Sequence, residues 1–158
     1  MRIGFAVPNP VDGPYAGGRF SDGPVWTEYL ATGLGLTGAA NPLYMGGNNY
    51  AFAGARTGVD DSPPGVLAQV AGIWGPSLGV ADPNALYVVV GGGNDMRDAR
   101  TAATGTDALN NAYRQLAAEA AIANLKSSLG LLAQRGAKNV LVSNVPDLGA
   151  TPEAMFME

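Results

Sequence analysis

Tyr87-Val-Val-Val-Gly-Gly-Gly-Asn94-Asp95 is the stretch whose reading decides the fold. A short, wholly apolar run ending in glycine reads as a strand buried on both faces of a sheet. The three glycines let the backbone turn sharply as it leaves the sheet, and they let another group approach it closely. Asn94 and Asp95 then fall at the strand's carboxyl end, the edge of an open α/β sheet where ligand-binding groups collect. The segment thus nominates Asn94 as a donor at a site. Two other readings stand beside it: Asn and Asp capping a turn, or an anion held at a helix amino end. A nucleotide loop does not fit, because the stretch has neither G-x-G-x-x-G spacing nor the lysine of a P-loop.

Downstream, Asp107 to Arg135 carries the strongest helical pattern. Leu109, Tyr113, Leu116 and Ala120 make one stripe, Leu125, Leu129 and Leu132 continue it, and Gly136 supplies a C-cap. Val140-Leu-Val-Ser143 reads as a second buried strand, with Asn144-Val-Pro-Asp147 as the turn beyond it. The last ten residues show no period. Strand, long helix, strand with short loops is a βαβ unit, so the pairing is expected to be parallel and the class α/β.

Upstream, Asp82-Pro-Asn84 is a turn, and Val66, Val70 and Ile73 predict a short helix that stops near Gly75-Pro76. Tyr50 to Ala53 is a strand-like run opening into a glycine turn. Another helix is expected from Pro24, with Asp22 near its amino end and Val25, Trp26, Tyr29 and Leu30 on one face, ending by Gly33 or Gly35. No repeat and no linker divides the chain.

The composition narrows the function. The 158 residues are 47% hydrophobic and 14% charged, a globular balance, and 23 glycines with 11 prolines imply turn-rich connections. Thirteen acidic against nine basic residues leave a net charge of −4, with lysine only at Lys126 and Lys138. Nucleic acid is not an expected partner, since phosphate binding depends on clustered basic residues. The chain has no cysteine and no histidine, which removes the thiolate nucleophile, the commonest general base and the commonest metal ligand. No apolar run is long enough to span a bilayer, and the amino-terminal residues do not form a signal peptide.

Gly75-Pro-Ser77-Leu-Gly79 fits G-x-S-x-G, but a nucleophile elbow needs a strand before the serine, a helix after it and a histidine. Ser77 is therefore read as a turn residue. Asp95, Asp98 and Asp147 match no metal-binding spacing and are read as solvated turn positions. No cofactor and no metal is expected.

Four segments in register carry a resemblance. They are Gly18-Arg-Phe-Ser-Asp-Gly-Pro-Val-Trp26, Asn49-Tyr-Ala-Phe-Ala-Gly54-Ala-Arg-Thr57, Val89-Val-Gly-Gly-Gly-Asn94-Asp95 and Ala137-Lys-Asn-Val-Leu-Val-Ser-Asn-Val-Pro-Asp-Leu-Gly149. Over residues 17–152 the chain resembles the GDSL-type SGNH esterase/lipase family, in particular its bacterial branch with G-R-F-S-D-G-x-V-W. The resemblance implies a three-layer α/β/α flavodoxin-like sandwich with a parallel sheet. It makes residues 1–158 a single partial domain, missing the first strand and the C-terminal portion. It implies hydrolysis of a small-molecule or lipid ester by a serine nucleophile. In that chemistry Gly54 would donate its backbone N–H and Asn94 its side-chain amide to the oxyanion. Many relatives in this branch look exported, but the sequence assigns the parent protein no compartment.

The family's nucleophile block and its late D-x-x-H block have no counterpart here. Ser21 belongs to the G-R-F-S segment and does not match the nucleophile. The chain therefore reads as a fragment, the central part of an ester hydrolase, inactive alone. The alternative is a non-catalytic pseudoenzyme acting as a ligand-binding or assembly protein.

Overall fold

The computed structural model describes residues 19, 21–60, 62–73, 79–102 and 105–155. Two compact units divide the chain, Met1–Gly54 and Ala55–Glu158.

In the first unit, helix α1 runs Trp26–Gly33. It starts two residues later than Pro24, because Val25 is extended (φ −93°, ψ 163°) and serves as the cap. The capping group is Glu28 and not Asp22. Its Oε2 accepts from the Val25 N–H at 2.9 Å, the reach of a third-position glutamate back to the helix entry. Arg19 grips the same carboxylate with two bonds, Nε at 2.6 Å and Nη2 at 2.5 Å. The Arg19 hydrogen bond holds the Glu28 carboxyl below the usual glutamate range, against a smaller opposing effect of burial.

The predicted apolar face of α1 is not the buried one. Thr27 is buried, whereas Trp26 and Tyr29 are 49% and 65% exposed. A 3-10 turn, Leu43–Met45, follows, and Pro42 and Asn49 make an isolated parallel bridge. Tyr50 to Ala53 does not form a strand. The Asn49 side chain takes the Ala51 N–H at 3.2 Å, a local bond that replaces the ladder partner a strand would need.

In the second unit, helix α2 spans Val66–Ala68 and continues as a π-wound turn over Gln69–Ile73. The predicted helix is present, and its stop at Gly75-Pro76 lies outside the described residues, as does Ser77. Strand β1 is Leu86–Val89, preceded by the expected turn, in which the Asp82 carboxylate accepts from the Asn84 N–H at 2.8 Å. Helix α3, Gly93–Thr101, starts at the last of the three glycines, and helix α4 spans Asp107–Gln134. Strand β2, Asn139–Val142, pairs parallel with β1 in the register Leu86–Asn139 to Val89–Val142. A 3-10 turn, Leu148–Ala150, and a single helical turn, α5 (Pro152–Met155), complete the described chain.

Parallel pairing and the α/β class stand as expected. Helix α3 and the turn α5 were not foreseen. The α3 sequence, Gly-Asn-Asp-Met-Arg-Asp-Ala-Arg-Thr, offers only Met96 and Ala99 as apolar positions, too few to show a period. Helix α4 ends as predicted: Gly136 is left-handed (φ 104°), the Ala137 N–H reaches the Leu132 carbonyl and the Gly136 N–H that of Ala133. Those two bonds are a Schellman motif.

Burial departs from the sequence reading on two counts. Strand β2 is exposed along its length, and β1 is fully buried only at Val89. With two strands in the described sheet, the hydrogen-bonded pair is not sandwiched as a central strand is. On α4, Leu109 and Leu116 are 66% and 63% exposed, whereas Ala121, Ser128 and Leu132 are buried. The packed face of the helix is thus built largely from small side chains, matched by buried Ala99 on α3. Small residues let helix backbones approach closely, which large side chains at those positions would prevent.

Candidate functional site

The site candidate is the amino-terminal turn of α3 and what it holds. Gly92 makes the turn possible: its φ of 107° is a conformation L side chains rarely adopt, and a Cβ there would stand 2.9 Å from Val145 Cγ2. The strand therefore delivers Asn94 and Asp95 at once to a helix start beyond its carboxyl end.

Neither side chain caps the helix that carries it. Both reach instead to the irregular segment 55–57, some forty residues earlier in the chain. Asn94 Nδ2 donates to the Ala55 carbonyl at 2.8 Å. Asp95 accepts the Thr57 N–H on both oxygens, at 3.2 and 3.1 Å, and the Thr57 hydroxyl at 2.7 Å. One turn further on, Asp98 pairs with Arg56 at 2.5 Å. The expectation that Asp95 and Asp98 are solvated turn positions is corrected: each is committed to a partner in this segment. Asp147 does occupy a turn, accepting the Gly149 N–H at 2.9 Å.

Thr57 is the centre of the arrangement. It is fully buried, and its hydroxyl also accepts from Asn124 Nδ2 on α4 at 3.2 Å. The same segment closes the amino end of α2, whose Val66, Leu67 and Ala68 N–H groups bond the carbonyls of Arg56, Thr57 and Gly58. These are donors that a helix start leaves without intrahelical partners. The Asp98 hydrogen bond raises the Arg56 pKa further, so this guanidinium stays charged.

Asn94 also lines a cleft of about 210 Å³, together with Arg97, Arg100, Leu148, Thr151 and Glu153. An asparagine amide carries two N–H donors, so the Ala55 bond fixes its plane and leaves one donor for a ligand. A neutral, non-titrating donor in a fixed orientation can stabilise a developing oxyanion. Gly54 closes the first unit; it is exposed and left-handed, with φ 79°.

Thr57, Asn124, Arg97 and Arg100 were missed in the sequence. Arg97 and Arg100 sit three apart, a spacing that means a shared face only once α3 is known to be a helix. Among the described residues no three acidic side chains group as a metal site, and no helix is long and apolar enough to cross a membrane.

A family profile described as GDSL-like lipase/acylhydrolase matches residues 3–158. The chain is similar to an uncharacterized protein of the trpE-trpG intergenic region of Pseudomonas putida, 32% identical over 193 aligned positions that cover 94% of this chain and 31% of that protein. It is similar to Lipase 1 of Photorhabdus luminescens, 32% identical over 138 positions that cover 85% of this chain and 20% of that protein. The chain thus spans about a third and a fifth of the length of these relatives. No solved structure matches it.

Proposed function

The chain belongs to the GDSL-like lipase/acylhydrolase family, and from that premise we propose that it contributes the oxyanion-stabilising part of an ester hydrolase. The observation that carries this is the Asn94 amide, held by the Ala55 carbonyl at 2.8 Å with one N–H left over. When a serine attacks an ester carbonyl, negative charge develops on the carbonyl oxygen, and a donor already oriented there stabilises it without reorganising. Asn94 supplies its side-chain amide and Gly54 its backbone N–H. The loss of one such donor costs about 3–4 kcal/mol of transition-state stabilisation. The substrate is a small-molecule or lipid ester.

The 158 residues hold no histidine, so they lack the usual base for a serine nucleophile, and turnover by this chain alone is absent. An assay with short-acyl nitrophenyl esters tests this. Turnover above buffer background that disappears in Asn94→Ala would overturn the claim. The donor role has its own test: titration with methyl butyrate shifts the Asn94 side-chain amide protons in an NMR spectrum. An unmoved Asn94 signal sinks it.

The absent histidine also favours a second reading, a non-catalytic protein that keeps the pocket to bind ligand or assemble. Its mark is a stable, monodisperse chain that binds an ester without turnover.

A further inference from the structure

Arg97 and Arg100 stand on one face of α3 and both turn toward a single carboxylate. Arg97 Nε lies 3.1 Å from Glu153 Oε1, and Arg100 Nη2 lies 3.2 Å from the same oxygen. One anion thus serves two cations, and the cleft keeps an excess positive charge. Arg100 is the less satisfied of the two. Its side chain is 20% exposed, and its Nε and Nη2 are shielded from solvent, yet neither makes a hydrogen bond. Its contact with Glu153 is an ion pair without hydrogen-bond geometry. Buried polar groups in native proteins nearly always find an acceptor, so a shielded guanidinium edge without one points to a ligand.

Arg100 also lines a cleft of small-molecule size, about 210 Å³, to which Asn94 and apolar Leu148 contribute. A guanidinium edge presents two parallel donors that match the two oxygens of a carboxylate or phosphate. From this geometry we infer that the cleft takes an anionic oxyacid group carried by the ester substrate, with Arg100 as its two-point ligand and Arg97 as the second cation. The inference rests on the proposed role of Asn94, because Asn94 lines the same cleft. With the ester carbonyl at Asn94, the anionic group of the same substrate engages Arg100 within the one cleft. The substrate class is then the half-ester of a dicarboxylic acid, or an ester of a phosphorylated alcohol, in place of a neutral lipid.

The test is a titration of the ¹⁵N-labelled 158-residue chain with monomethyl succinate, dimethyl succinate and methyl phosphate, reading the arginine Nε–H and asparagine amide signals. Monomethyl succinate shifts the Arg100 signal and binds at least ten-fold tighter than its neutral diester. Arg100→Gln reduces the half-ester to the level of the diester, and Arg100→Lys, which keeps the charge but not the fork, falls between. A dispersed spectrum of either variant shows that it is folded. Asn94→Ala weakens both succinate esters alike and leaves methyl phosphate unaffected. Equal binding of half-ester and diester to the unaltered chain, or a preference that survives Arg100→Gln, overturns the proposal. A charge preference that persists while Asn94→Ala changes nothing supports the anion site and removes the oxyanion reading instead. Whichever of monomethyl succinate and methyl phosphate binds more tightly identifies the source of the anionic group.

Discussion

Two contacts in segment 55–57 look alike on paper and differ in weight. Arg56 and Asp98 form a short ion pair, but both side chains are about half exposed, and pairs in that setting contribute little. Thr57 is fully buried and donates twice to a carboxylate. Thr57→Val keeps the shape and removes the hydroxyl, leaving Asp95 and Asn124 each short of a partner. We expect a loss of about 2–3 kcal/mol by urea unfolding, against a far smaller loss for the exposed Arg56→Ala. Equal effects would show that the buried threonine is not the anchor. Of the site candidates, Asn94 was nominated by its place at a strand's carboxyl end, whereas Gly54 came only with the family resemblance. Thr57 was not legible, since its importance comes from an aspartate 38 residues away.

A second prediction at this scale concerns acid. The Arg19 hydrogen bond lowers the Glu28 pKa, so ionised Glu28 favours the folded first unit. Because the folded value lies below the unfolded one, the contribution is fully present above the ordinary glutamate range, near about 4.3, and is lost as pH falls through the lowered value. Unfolding followed across that window should show a steeper acid decline for the unaltered chain than for Glu28→Gln.

At the scale of elements, α2 depends on a backbone contact that tolerates no side chain. A Cβ on Gly65 would stand 2.2 Å from the Gly58 carbonyl oxygen, within the loop whose carbonyls close the helix start. Neither wall is a flexible side chain, so the segments would have to separate. Gly65→Ala is expected to cost about 3 kcal/mol or more in thermal or urea unfolding. A change under about 1 kcal/mol would show that this helix start shifts freely. The long helix, its glycine cap and the parallel strand pair were legible from periodicity and punctuation. The buried face of α4 was legible only in its second half, where Leu132 is buried with Leu125 and Leu129 beside it; Leu109 and Leu116 of the first half are exposed, and small Ala121 and Ser128 are packed. Helix α3 escaped notice because its positions serve polar contacts, with Asn94, Asp95 and Asp98 all engaged elsewhere.

At the scale of the whole molecule, apolar surface is the feature with the widest effect. On α4, Leu109, Tyr113 and Leu116 are all exposed, and Leu86, Val140, Leu141 and Val142 of the sheet are too. Contiguous apolar surface and unpaired strand edges favour association with other chains. Light scattering of the 158-residue chain should therefore show mass rising with concentration. The double substitution Leu109→Gln with Leu116→Gln should reduce it without loss of stability. A monodisperse monomer at all concentrations would contradict this and favour the ligand-binding reading.

The three-rung hold of α3 on residues 55–57 has a consequence for amide hydrogen exchange. Thr57 lies in a stretch with no regular secondary structure, where exchange is ordinarily fast. Its N–H, however, is fully buried and bonded to both oxygens of Asp95. Its proton should persist in heavy water as long as those in the centre of α4, released only when the second unit opens as a whole. A single coil amide would then report the cooperative unfolding of four helices and a strand pair.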